Sequence, residues 1–304
     1  MIPVEWILLA LSPVFLGLVA FEWWYGLRLQ RHWYRWRDTL ANAVLALMHQ
    51  AGELLALLVL MPFYWWLHQY RLFDIPLNGY TLVLAFVLQD FLYYWFHRAS
   101  HHIRWFWASH IVHHSSRELN LSTAFRQSLM YPVSGMWLFW LPMMLLGFSP
   151  WLVLAVVSLN LAFQFFVHTQ AIQRLGWLEW VLNTPSHHRV HHACNAKYID
   201  KNFAGVLIVW DRLFGTFQPE DPTEPCRYGI TTNFQSNNPL VITFDEWRLM
   251  WLDWRQAPDW RGKFAVLTGA PAKAETMLAV PAKQQLQPAE SSECMDEKKE
   301  KSLT

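Results

Sequence analysis

Histidine spacing carries the chemistry of this chain. His97 and His101 stand four residues apart, His110, His113 and His114 follow as H-x-x-H-H, and the run Ser186-His187-His188-Arg189-Val190-His191-His192 repeats that pattern. On a helix, residues three and four apart share a face, so each cluster can offer several imidazoles to one point. Imidazole suits zinc, copper, iron and nickel. One such pair is more often structural than ligating; three clusters in one chain reverse that weighting and point to a metal site.

The elements that must position these clusters are apolar helices. Residues 2–27 are almost wholly apolar and long enough to cross a hydrocarbon core, which takes about 20 residues, and they lack the charged leader and cleavage site of a signal peptide. The stretch Arg28 to Arg37 carries four arginines among aromatics, which marks a cytoplasmic interface. The N-terminus is then expected outside. A second span covers roughly Leu40 to Trp66, with Glu53 facing a partner helix. A short outer loop follows at 68–79, and a third span, Tyr80 to Phe96, delivers His97 to the cytoplasmic face.

Asp90, His97 and His101 fall on one face of that helix at about 100° per residue. Asp90 is a candidate acid behind a ligating histidine, with a capped or paired interfacial carboxylate as the plain alternative. On an unbroken helix His110 would point roughly 220° away from His97, so a bend is expected near Trp105 to Ser109. Leu129–Phe148 and Trp151–Val167 read as a hairpin of two spans around the turn Gly147-Phe148-Ser149-Pro150. Five crossings then bring both histidine blocks to the cytoplasmic side. His168 closes the hairpin, with Gln164 four residues before it on the same face.

Thr184-Pro185 reads as the start of the helix carrying His187 to His192. Residues 202–217 are apolar but too short to span, and should pack beside the site or lie on the membrane. Phe244 to Trp254 has the spacing of an interfacial helix. The expected organisation is 1–79 as membrane helices and outer loop, 80–260 as a catalytic domain and 261–304 as a disordered polar tail. The fold class is thus an all-α integral membrane protein with about five spans and a cytoplasmic, histidine-rich cap.

Composition agrees with a membrane protein: 54% of the 304 residues are hydrophobic, 20 are Trp, 20 are Phe, and only 15% are charged. A net charge of +1 gives no argument for nucleic acid as a partner. Cys194, Cys226 and Cys294 form no C-x-x-C, so cysteine is not expected in the metal site.

The ordered motifs H-x-x-x-H, H-x-x-H-H and H-x-x-H-H resemble those of the fatty acid hydroxylase and sterol desaturase superfamily of membrane-bound, non-haem di-iron enzymes. Asn120 to Ser128 (NLSTAFRQS), Phe166 to Thr169 (FVHT), Leu182 to His192 (LNTPSHHRVHH) and Ile199 to Phe217 resemble its alkylglycerol monooxygenase subgroup and bacterial relatives. The resemblance runs from about Asp90 to Phe217. It implies two iron ions held by His97, His101, His110, His113, His114, His168, His188, His191 and His192, with His187 a ligand or neighbour; Asp90, Gln164 and His187 are the further candidates for catalytic roles.

It also implies O₂-dependent insertion of oxygen into a membrane lipid's C–H bond, with hydroxylation or desaturation of another membrane lipid, such as a sterol, an ornithine lipid or an acyl chain, as the near alternative. In that subgroup the carbon adjoins an ether oxygen, so the product hemiacetal breaks to an aldehyde and a glycerol. Tetrahydrobiopterin or another external reductant, from a separate electron donor, is implied as well. One departure stands out: His102 occupies the position after the second histidine, where relatives often carry an acid. Two other readings compete. A metal transporter would spread polar residues through the depth of its spans, whereas here they gather at one face, and a haem b carrier would leave the paired H-x-x-H-H blocks unexplained.

Overall fold

The computed structural model describes residues 4–231 and 234–271. Among them every regular element is helical, with two isolated bridges, Leu182–Leu207 and Ala193–Tyr228, in place of a sheet. Eleven α-helices are described: α1 (Val4–Arg28), α2 (Trp36–His68), α3 (Gly79–His102), α4 (Arg104–His114), α5 (Tyr131–Ser134), α6 (Leu141–Leu146), α7 (Pro150–Val167), α8 (Pro185–His192), α9 (Val209–Phe214), α10 (Pro239–Gln256) and α11 (Trp260–Thr268).

Among the described residues two helices, α2 and α7, are long and apolar enough to cross a membrane. α2 turns much of that surface outward: Leu47, Leu54, Leu55, Leu58 and Val59 are 64 to 73% exposed. So wide an apolar flank on one helix marks a surface made for lipid or another partner. α7 is more enclosed and packs along α3, with Tyr93, Phe96, Val153 and Val156 in the same core.

The segment expected as a fourth span, Leu129 to Phe148, is a series of short pieces: α5, a 3₁₀ turn at Met136–Trp140, and α6. Gly135 and Gly147 have φ of +88° and +124°, which interrupt the helix, and Pro142 at the start of α6 removes a backbone donor. The segment still follows the second half of α2 and the turn after it. Leu129 packs on Gly52 at one end, Trp137 on Phe63 midway, and Leu145 accepts from the amide of Leu72 at 2.7 Å at the other. There a Cβ at Gly147 would overlap the carbonyl oxygen of Phe73, so glycine permits the close approach.

The expected bend between the first two clusters also falls elsewhere, at Ile103, which is extended (φ −119°, ψ 116°) while α4 is continuous through Trp105–Ser109. The amide of Arg104, left without a helical partner by that break, donates to the carbonyl of Gly269. Arg104 itself reaches Glu246 at 2.8 Å and Asp253 at 2.6 Å, which docks α10 on α4. α11 occupies 260–268, the start of the stretch expected to be a disordered tail; Asp259 caps it by accepting from the amide of Gly262. Residues 272–304, the rest of that tail, lie outside the described residues.

Candidate metal centre

Nine histidines meet where α3, α4, α7 and α8 end. They form two groups: His97, His101, His110, His114 and His191 in one, His113, His168, His188 and His192 in the other. The sequence motifs therefore divide. Each H-x-x-H-H sends its i, i+4 pair, His110/His114 or His188/His192, to one group and the histidine between them, His113 or His191, to the other. Helix geometry explains this, because neighbouring residues point about 100° apart. The expectation that each cluster aims at one point is corrected accordingly. The groups are adjacent, with the His114 and His192 rings 4.6 Å apart between centroids.

The outer ring nitrogens fix the tautomers. Nδ1–H of His97 donates to the Phe203 carbonyl at 2.7 Å, that of His191 to Lys201 at 2.9 Å, that of His113 to Arg126 at 3.1 Å and that of His168 to Gln164 at 2.6 Å. His110 Nδ1 pairs with the Tyr131 hydroxyl at 2.8 Å. With Nδ1 protonated, Nε2 carries a lone pair. Yet the Nε2 atoms of His113 and His168, both rings with Nδ1 on a carbonyl, stand 3.1 Å apart. Facing lone pairs at that range repel unless a cation lies between them. His101 adds a buried Nε2 with no protein partner. The donor set thus fits metal ions held by imidazole.

Burial also keeps the rings neutral, as ligation requires. It lowers His113 to about 4 and holds His110, His114, His188, His191 and His192 well below the ordinary histidine value, with neighbouring histidines adding to the effect.

The other candidate residues act at one remove. Asp90 touches no histidine; it is fully buried and accepts from the amides of Val206 and Leu207 (2.8 and 3.0 Å), from Trp210 Nε1 and from Asn160. It thereby ties down the loop whose Phe203 carbonyl receives His97. Gln164 accepts from the Tyr93 hydroxyl at 2.9 Å and donates to Asn160 at 2.7 Å, while its backbone carbonyl holds His168. His187 lies outside both groups: its Nε2 is 3.9 Å from Glu179 and its ring packs on Phe217.

Sequence reasoning missed Arg126, Asp38 and Asp200. Arg126 is 1% exposed, and its guanidinium meets Asp38 at 3.2 Å, Asn42 at 2.8 Å and the Val112 carbonyl at 3.1 Å while its own carbonyl takes His113. The signal available was an arginine as the one charged residue of the NLSTAFRQS run. Asp200 lies 3.3 Å from His101 Nδ1, so a carboxylate does stand behind this histidine although position 102 is His. The 202–217 segment packs beside the site as expected, with Trp210 and Phe214 of α9 against Phe91 of α3.

Fold and site together define an all-helical, membrane-associated protein with two adjoining histidine groups suited to metal. Residues 82–216 match the model of the Fatty acid hydroxylase family, and this part of the chain is a fatty acid hydroxylase domain. The chain is 45% identical over 204 residues to human alkylglycerol monooxygenase, covering 66% of this chain and 45% of that protein. It is 40% identical over 245 residues to the zebrafish (Danio rerio) alkylglycerol monooxygenase, covering 79% and 52%. To the ornithine lipid hydroxylase of Rhizobium tropici it is 28% identical over 153 residues, covering 50% and 46%. The chain thus spans about half the length of these curated relatives. No solved structure is significantly similar to it.

Proposed function

We propose that this protein is a membrane-bound lipid monooxygenase that uses a pair of iron ions to oxidise a C–H bond, with ether-linked alkylglycerols as its substrate class. The observation that carries the reading is the pair of adjoining imidazole groups, nine inward-facing histidines with no carboxylate among them, at the end of a bundle whose longest helix presents apolar surface outward. The likeness to alkylglycerol monooxygenases supports the substrate class.

Bound iron supplies the O₂ activation that zinc, without redox chemistry, could not. One oxygen atom enters the C–H bond and the other leaves as water, with two electrons from a separate donor, tetrahydrobiopterin in the leading case. At the carbon beside an ether oxygen the product is a hemiacetal, which breaks to an aldehyde and a glycerol. The nine histidines are the proposed ligands. Asp90, Gln164 and His187 orient them through the Phe203 loop, the α7 carbonyl and α8. The buried shell of Tyr93, Phe96, Tyr131 and Phe203 excludes water from the reacting carbon.

The reading includes a multi-pass topology, with residues 80–260 as the catalytic domain and the histidines on the cytoplasmic face. The arginines of 28–37 and the course of the 129–148 segment along the second half of α2 support it.

Iron analysis with Mössbauer spectroscopy on the purified protein tests the reading first. About two coupled irons per chain, and aldehyde released from an alkylglycerol in the presence of a reduced pterin, are expected. Zinc alone after expression with ample iron would sink it. A second substrate class, ornithine lipid or another membrane lipid hydroxylated without cleavage, is favoured by the Rhizobium tropici relative. A hydroxylated product with no aldehyde selects it.

A further inference from the structure

The segment from Asp200 to Gly205 is unusual in two ways that belong together. Asp200 and Asn202 have φ of +57° and +56°, in the left-handed region where residues other than glycine are strained. Each such residue persists only where its surroundings over-determine it, and here they do. Asn202 donates its side-chain amide to the carbonyls of His187 and Gln218 (3.0 and 2.7 Å) and accepts from the Gln218 amide at 2.8 Å. Asp211 accepts from the amides of Phe203 and Ala204, both at 2.8 Å, and Asp90 accepts from those of Val206 and Leu207 just beyond.

The strained turns direct three acceptors at one target. The Lys201 carbonyl meets His191, the Phe203 carbonyl meets His97, and the Asp200 carboxylate meets His101, each at Nδ1. These are three of the five members of one histidine group. The Nδ1 partners described for the other group, the carbonyls of Arg126 and Gln164, come from different segments.

We propose that the 200–205 loop sets the metal affinity of the five-histidine group independently of the four-histidine group, and that Asp200 is its positioning residue, acting through His101. A carboxylate on the outer nitrogen orients an imidazole and makes its inner nitrogen a better donor, and loss of such a partner typically costs about 10- to 100-fold in metal affinity. Asp200 offers an accessible handle on the loop. Its side chain is 43% exposed, so its removal leaves no buried cavity. The inference rests on the reading of the two groups as two metal positions.

The test is chelator titration of the iron-loaded, full-length protein, with metal per chain counted at each step and the spectroscopic signal of the coupled pair followed in parallel. Wild type is expected to start near two irons. Asp200→Ala is expected to lose one iron at about 10- to 100-fold lower chelator than wild type and to keep the second at the wild-type concentration. Asp200→Glu is expected to restore part of the difference, and Asp200→Gly, which removes the carboxylate but takes the left-handed φ of +57° without strain, is expected to shift as Asp200→Ala does, which separates loss of the carboxylate from backbone strain. Two irons leaving together in Asp200→Ala, or a titration identical to wild type, overturns the proposal while leaving the di-iron reading intact. A wild-type protein that never holds two metals overturns that reading itself, and this inference with it.

Discussion

The two histidine groups use the same ligand chemistry but are anchored in different ways. The five-histidine group leans on one strained loop, fastened by the buried carboxylates of Asp90 and Asp211. The four-histidine group leans on backbone carbonyls at Arg126 and at the end of α7, and Arg126 is in turn fastened to Asp38 and Asn42 at the start of α2. A loop and a long helix thus hold neighbouring sites. The difference teaches that ligand spacing sets what binds, whereas the partners of the outer nitrogens decide which part of the protein controls each position.

The sharpest way to break the comparison is to alter adjacent residues that belong to opposite groups. His191→Ala and His192→Ala are each expected to lower turnover by more than about 100-fold, beyond the usual range for outer partners. Each should remove metal from its own group, read by iron content and by the spectrum of what remains. Loss of both irons in both variants would show that the groups are a single site.

Acid probes both groups at once. His113 is held near 4 by burial, below its ordinary value of about 6.5, so between those values the unfolded chain binds a proton that the folded metal-free chain does not. Stability of the metal-free protein must then fall as pH drops through that window. The other buried histidines shift in the same direction and steepen the fall. Melting temperature measured from pH 7 to pH 4 checks the sign; a melt independent of pH would contradict the buried neutral state.

Arg126→Met attacks the four-histidine group from outside. It leaves the Asp38 carboxylate buried without its partner, a loss of about 3–5 kcal/mol when one member of a buried pair is removed. Denaturant unfolding measures it, and the metal lost first should be that of the four-histidine group. The smallest expected effect is that of Asn202→Gly. Glycine keeps the left-handed turn without strain but forfeits the side-chain bonds to His187 and Gln218, for a net loss of about 1–3 kcal/mol. Here the five-histidine group should loosen first.

Much of the site was legible in sequence because i, i+4 spacing survives folding: His97/His101, His110/His114 and His188/His192 each stay together. The assignment of His113 and His191 to opposite groups follows from the same helical geometry but needs the relative placement of α4 and α8, which no local pattern carries. The bend at Ile103 rather than near Trp105–Ser109 depends on the long-range bond from Arg104 to Gly269. The broken 129–148 segment was signalled by Pro132, Gly135 and Pro142, but its apolar character outweighed them. Asp200 could not be found at all, since its link to His101 crosses about a hundred residues of chain.

α2 has 33 residues, about 50 Å at 1.5 Å per residue, against a hydrocarbon core of about 30 Å. With α2 taken as a membrane helix, its excess length must be absorbed by tilt or by projection into the aqueous phase. Its first turns hold Arg126, whose carbonyl takes His113, so a change in helix inclination would be carried to that histidine. Bilayer thickness would then be an input to the four-histidine group. Iron retention compared in vesicles of short- and long-chain lipids would read that input, with the host lipid acting on the metal by way of helix inclination rather than as substrate.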